Sequence, residues 1–231
     1  MIYAVILAGG KGLRLGGDIP KQLLPLAGKP VIRWSAETFQ SVDEIDSIIV
    51  VGEKNSLETI KSMLPEQDFP KIISFIEGGA ERSDSSYNAL LSREFSDDDI
   101  ILFHDAARPF ITADIIRAMI TEIKVSGAAG IYIPAVDTVT IAENSKVITI
   151  PERRQVFYAQ TPQGFRYNLI KSAHEKYKKG HLRIKATDDV SLVMAIGHDV
   201  KLVNGTALNF KITTDFDYRI AEFIAGNGLV K

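Results

Sequence analysis

Apolar residues in this chain come in short unbroken runs, separated by stretches in which they recur every third or fourth position. The run IYAVILA near the start, ending in glycines, has the pattern of a strand buried on both faces of a sheet. IDSIIVVG, KIISFIEGG, DDIILFHDAARPF and GAAGIYIPAV repeat that pattern. Between them, VIRWSAETFQS sets Ile32, Ala36 and Phe39 at helical spacing. NSLETIKSML predicts a helix capped by Asn55, with Glu58 completing a capping-box spacing. SDSSYNALLS is also helical, and TADIIRAMITEIKVSG aligns Ile116, Met119, Ile120 and Ile123 behind a Thr112 cap. Strands alternating with helices predict an α/β fold with a largely parallel sheet. Ligands of such sheets bind beyond the carboxyl ends of the strands, and LAGGKG, EGGAERSDS and HDAARP each follow a predicted strand.

One segment departs from the alternation. DTVTI, residues 137 to 141, and VITI, residues 147 to 150, flank AENSK and predict a β-hairpin with one exposed face. A two-stranded ribbon is marginal alone, so it must pack on its own domain or on a second subunit. EKYKKGHLRIK, the most basic run, reads as a solvated helix end and loop.

Composition narrows the chemistry. A formal net charge of −2 argues against general nucleic-acid binding, so the basic residues near the N-terminus mark a local site. The absence of cysteine excludes disulfides, thiolate catalysis and cysteine zinc sites. The apolar start is too short for a signal peptide or membrane span, and a soluble cytoplasmic protein is expected.

The glycine-rich stretch LAGGKGLRLGGDIPKQ invites two familiar identities, and both fail on spacing. A dinucleotide fingerprint needs G-x-G-x-x-G; Gly10 and Gly12 fit, but Leu15 stands at the third position, and the strand IIVVG ends in Gly52 rather than an acid. No P-loop string occurs. Arg14 and Lys21, seven apart, are placed to reach one polyphosphate, with Pro20 stiffening the backbone before Lys21. Lys11 acquires no role. Asp105 closes the strand IILF with His104; a carboxylate there could meet magnesium, a ribose hydroxyl or a substrate hydroxyl. Arg108, three residues on, could bind an anion. His104 lacks a ligating partner nearby and reads as structural.

The motifs LAGGKGLRLGGDIPKQLLPLAGKP, EGGAERSDSSYNAL, HDAARPF, VDT, AQTPQGF, ATDDVSLV and NFKITT follow one another in this order. The chain thereby resembles the 2-C-methyl-D-erythritol 4-phosphate cytidylyltransferases and their relatives that make CDP-ribitol from ribitol 5-phosphate. The resemblance implies a single Rossmann-like nucleotidyltransferase domain over residues 1–231, with a projecting β-arm over about 136–158 that hooks a second subunit into a homodimer. It also implies CTP as substrate and Mg2+ or another divalent cation. Arg14 and Lys21 would hold the triphosphate, and Ala8, Gly9, Gly10 and Gly12 would pass backbone close to the nucleotide. Gly79, Ala80 and Ser85 match cytosine-recognising positions, with Arg82 fixing that loop. Asp105 and Ala106 would meet the ribose and the metal-bound phosphates, with Asp105 also near the acceptor. Arg108 and Thr161 match acceptor-hydroxyl contacts, Thr138 and Arg153 the arm's grip on the partner's acceptor phosphate, and Lys211 a contact to both phosphates. The acceptor is implied to be methylerythritol phosphate. Thr140, where that branch often has lysine, and IPER, reminiscent of the ribitol branch, keep ribitol phosphate as the alternative.

Overall fold

The computed structural model describes residues 1–10 and 20–230. In chain order the elements are β1 (Ile2–Ala8), β2 (Pro25–Leu26), β3 (Lys29–Pro30), α1 (Val31–Ser41), β4 (Ser47–Gly52), α2 (Leu57–Met63), β5 (Ile72–Glu77), α3 (Arg82–Leu91) and β6 (Ile100–Asp105). There follow α4 (Ala113–Ser126), β7 (Ala128–Pro134), β8 (Ile141–Glu143), β9 (Lys146–Thr149), β10 (Phe157–Arg166), α5 (Tyr167–Lys178), α6 (Asp189–Ala195), β11 (Lys201–Asn204) and α7 (Asp215–Gly226).

Among the described residues seven strands form one sheet in the order β11-β7-β10-β6-β1-β4-β5. The pairings are parallel except at β10, which runs antiparallel to both β6 and β7. β1 is buried along its length and distributes its side chains with the period of two that a strand dictates. Ile2, Ala4, Ile6 and Ala8 join the core under α1 and α4. Tyr3, Val5 and Leu7 join the opposite core with residues of α3, α5 and α6. Burying each large aliphatic side chain contributes about 1.5–3 kcal/mol, so an uninterrupted apolar run is what a central strand needs. The α/β sandwich expected from the pattern is thus present, with Ile116, Met119, Ile120 and Ile123 of α4 buried behind a Thr112 cap.

Three local features differ from expectation. Asn55 does not cap α2: it lies in a 3-10 turn, Lys54–Ser56, and α2 starts at Leu57 without a side-chain cap. The turn tightens because Ser56 returns both its N–H and its hydroxyl to the Glu53 carbonyl. β10 carries no strand pattern in the sequence, because polar Gln160, Thr161 and Gln163 interrupt its hydrophobic run even though all are buried. The hairpin is real but shifted. Asn144 and Ser145 both take positive φ, 47° and 62°, as a tight two-residue turn requires. Glu143 therefore pairs with Lys146 and Ala142 with Val147, leaving residues 137–140 outside the strand. Both faces of the ribbon are exposed, not one.

Candidate active site

The parallel register of β1 with β4 and β6 brings their carboxyl ends to one edge of the sheet, and β5 ends beside them. A cleft of about 580 Å³ opens there. Ala8 at the end of β1, Gly9 and Gly10 after it, Gly79 and Ala80 after β5, Ser85 of α3, and Asp105 and Ala106 at the end of β6 line it, together with Lys21, Arg82 and Lys211. Gly12, Arg14 and Lys11 lie outside the described residues.

The loop after β5 is held from within. Glu81 and Asp84 form a reciprocal capping box at the start of α3. Ser85 Oγ accepts the Gly79 N–H at 3.1 Å and donates to the Glu81 carbonyl at 3.2 Å. A Cβ on Gly79 would stand 2.1 Å from the Asp84 Cβ, so this position admits only glycine. On the other wall, Gln22 donates Nε2 to the Ala8 carbonyl at 2.6 Å, fixing the backbone that leaves β1. Lys21 opens the same 3-10 turn, Lys21–Leu23, behind Pro20.

Charge is concentrated at Asp105. Its Oδ1 accepts from Arg82 Nε at 3.0 Å and its Oδ2 from Lys211 Nζ at 2.6 Å. Burial would push this carboxyl up, but the Arg82 and Lys211 cations hold it well below the usual carboxylate range. Arg82 is half-buried, and Asp189 and Asp105 together more than offset the cost of that burial and keep it charged. Lys211 is brought in by the segment before α7. The Ile212 N–H bonds to the Ala107 carbonyl at 2.9 Å, and Asp217 and Thr214 form a capping box that starts α7.

Beneath Asp105 lies a polar layer. The Asp105 N–H donates to Thr161 Oγ1 at 3.0 Å, and that hydroxyl lies 3.2 Å from His104 Nδ1. His104 Nε2 is 3.0 Å from the Arg108 carbonyl. Burial lowers the His104 pKa to about 4, so the ring is neutral, in keeping with a structural part. Arg108 donates to the carbonyls of Asn209 and Ala159, at 2.8 and 3.4 Å, and Thr161 is buried. Neither lines the cleft. Thr138 and Arg153 also lie outside it, exposed on the segments flanking the hairpin, where Arg153 donates to the Val136 carbonyl.

The model of the family described as IspD: 2-C-methyl-D-erythritol 4-phosphate cytidylyltransferase matches residues 2–227. This chain belongs to that family. A cytidylyltransferase of that name from Clostridium perfringens strain SM101 is 42% identical over 96% of this chain and 97% of its own. One from Alkaliphilus oremlandii is 40% identical over 95% and 93%. Among solved structures, the 4-diphosphocytidyl-2C-methyl-D-erythritol synthase of Anaerococcus prevotii superposes with a TM-score of 0.84 at 31% identity, covering 96% of this chain and 94% of that one. The Francisella tularensis cytidylyltransferase does so with a TM-score of 0.80, also at 31%, covering 96% and 98%.

For this cytidylyltransferase, sequence reasoning passed over several residues that shape the site. Gln22 and Asp189 stand inside matched motifs without a role of their own, and the spacing of Asn55 to Glu58 pointed to a helix cap rather than to the site. Yet Gln22 and Asn55 line the cleft, and Asp189 pairs with Arg82 at 2.6 Å. Asn209, buried in the NFKITT motif, donates Nδ2 to the Thr161 carbonyl at 2.9 Å and to Gln160 Oε1 at 3.2 Å. Its place beside Lys211 was the available clue.

Proposed function

We propose that this chain transfers the cytidylyl group of CTP to 2-C-methyl-D-erythritol 4-phosphate, giving 4-diphosphocytidyl-2-C-methyl-D-erythritol and pyrophosphate. The observation that carries the proposal is the cleft at the ends of β1, β5 and β6, with Lys21, Arg82, Asp105 and Lys211 around it, in a member of this family. Family membership also favours methylerythritol phosphate over ribitol phosphate as acceptor.

An acceptor phosphate oxygen attacks the α-phosphorus of CTP in line. The new bond joins that oxygen to the α-phosphorus, and the bond to the β-phosphate oxygen breaks with its electron pair leaving on pyrophosphate. A phosphate monoester has its second pKa near ~6, so the nucleophile is already anionic and no general base is needed. What the protein must supply is cationic charge where two anions meet. Arg14 and Lys21 are assigned to the triphosphate, and Lys211 to the space between the acceptor phosphate and the α-phosphate. Gly79, Ala80 and Ser85 are assigned to cytosine, with Ala8, Gly9, Gly10 and Gly12 passing backbone beside the nucleotide. Asp105 and Ala106 face the ribose.

Among the described residues no group of three or more acidic or histidine side chains is placed to hold a metal ion. Asp105 alone, facing the cleft, fits a magnesium ion carried mainly by the triphosphate, as that ion prefers phosphate oxygens and water. When bound, the ion would screen phosphate charge.

Arg108 and Thr161 are assigned to acceptor hydroxyls. Thr138 and Arg153 are assigned to the acceptor phosphate of a second copy, reached by the arm over about 136–158 of a homodimer whose protomers are single domains of residues 1–231. Among the described residues no helix is long and apolar enough to cross a membrane, and the cytoplasm is the proposed location. Pyrophosphate release with magnesium and CTP, compared across methylerythritol phosphate, ribitol phosphate and no acceptor, tests the assignment. Methylerythritol phosphate is expected to give the highest kcat/KM. A preference for ribitol phosphate, or no release with either acceptor, would overturn it.

A further inference from the structure

Behind the cleft, Arg82 lies between two carboxylates. Its Nε reaches Asp105 at 3.0 Å and its Nη1 reaches Asp189 at 2.6 Å. Asp189 has no exposed surface, so it cannot touch a ligand in the cleft. Its carboxylate is nonetheless fully engaged. Oδ2 accepts from Arg82 and from the Ser86 hydroxyl at 3.1 Å, and Oδ1 lies 3.0 Å from Nε2 of His174, which is also fully buried. A carboxylate only accepts, so the His174 proton is on Nε2. The Asp189 N–H bonds to Gln163 Oε1 at 3.1 Å, and Gln163 returns Nε2 to Asp188, the cap of α6, at 2.7 Å.

We infer that Asp189, braced by His174, is a positioning residue for the donor nucleotide, acting through Arg82. The inference rests on the cytidylyl-transfer function above. Arg82 is the first residue of α3 and is separated from the Gly79–Ala80 loop only by the capping Glu81, so its anchorage fixes that loop as well as Asp105. Two anchors orient the guanidinium; one would let it swing about the Asp105 contact. Asp189 also neutralises Arg82 from behind. An Arg82–Asp105 pair on its own would be closed, whereas with Asp189 present the Asp105 charge remains directed at Lys211 and the cleft. The loop anchorage falls on the donor side alone, and the Asp105 charge reaches the acceptor only through Lys211 and Thr161, so the larger effect is on the donor. Among the described residues the Arg108 side chain, assigned to the acceptor, donates to the carbonyls of Asn209 and Ala159 and shares no hydrogen-bond partner with Asp189.

The test separates the two substrates. In Asp189→Asn the KM for CTP is expected to rise about tenfold or more, the loss of one buried charge-assisted bond, while the acceptor KM stays within about threefold. His174→Phe, which keeps the ring volume beside Tyr87 and removes the donor, should shift the CTP KM the same way by about threefold or more, and His174→Gln, which restores an N–H donor, should return it to within about twofold of wild type. General loosening of the fold would move both KM values together. A folded Asp189→Asn enzyme with an unchanged CTP KM would overturn the inference. If that variant does not fold, indistinguishable CTP KM values for His174→Phe and His174→Gln would overturn it.

The failure of the function and the failure of this inference are kept apart by a measurement without nucleotide, the hydrogen exchange of the Arg82 Nε–H followed by NMR. Protection lost in His174→Phe and kept in His174→Gln supports the positioning role even if no polyol phosphate is a substrate. Equal protection in all three proteins overturns it even if cytidylyl transfer is confirmed.

Discussion

Asp105 is buried yet charged because Arg82 and Lys211 reach it from two directions, and the same arrangement leaves an ammonium at the mouth of the cleft. Replacing Lys211 by alanine is expected to lower kcat by about 10²–10³, the usual effect of removing one group that stabilises developing charge. Lys21→Ala should do the same. Circular dichroism should show both variants folded, since neither side chain belongs to the apolar cores. Near-wild-type turnover in either would contradict their assignment. His104 makes a different prediction. Its pKa falls to about 4 from 6.5 on folding, so between those values the unfolded chain binds the extra proton. Stability should therefore be complete above pH 6.5 and fall as pH drops toward 4, with a slope approaching about 1.4 kcal/mol per pH unit for one proton. Depressed carboxyls such as Asp105 and Asp189 add their loss only at lower pH. Urea unfolding across this range should show a shallower slope in His104→Gln; an unchanged slope would contradict a neutral buried ring.

At the scale of elements, the loop between β5 and α3 is the most tightly determined part of the cleft. Gly79→Ala forces a Cβ into Asp84 and breaks the approach of the loop to the capping box. Denaturant unfolding should show a loss of about 1–3 kcal/mol, as overpacking typically costs, with a raised KM for CTP. A variant as stable as wild type would mean that the loop relaxes freely. The elements were legible to different degrees for physical reasons. β1, β4 and β6 announce themselves because a strand buried on both faces must be apolar throughout. β10 is equally buried but carries Gln160, Thr161 and Gln163, whose polar atoms are satisfied only by distant residues such as Asn209, Thr206 and Asp188. No local pattern reports such partners. The glycine loops and Asp105 could be placed from sequence because each follows a strand, and strand ends share an edge. The Arg82–Asp189 pair joins residues 107 positions apart and became visible only in three dimensions.

For the whole molecule, the hairpin β8–β9 is a sheet of its own whose apolar residues Ile141, Val147 and Ile148, with Ile150 just beyond, are exposed. An isolated ribbon of this kind is marginal in water, which supports its proposed role as an arm around a second copy. Sedimentation equilibrium is expected to give a dimer. Val147→Glu with Ile148→Glu should shift it toward monomer and lower turnover, because Thr138 and Arg153 would no longer reach the neighbouring cleft. A wild-type monomer at high concentration would refute the shared site. The central claim is that an acceptor phosphate oxygen attacks the α-phosphorus of CTP in the cleft formed by β1, β5 and β6. Its most direct test uses methylerythritol phosphate labelled with ¹⁸O at the non-bridging phosphate oxygens, with products read by ³¹P NMR. All of the label should remain in 4-diphosphocytidyl-2-C-methyl-D-erythritol, one labelled oxygen bridging the two phosphorus atoms, with unlabelled pyrophosphate released. Label in pyrophosphate, or no diphosphocytidyl product, would contradict the account.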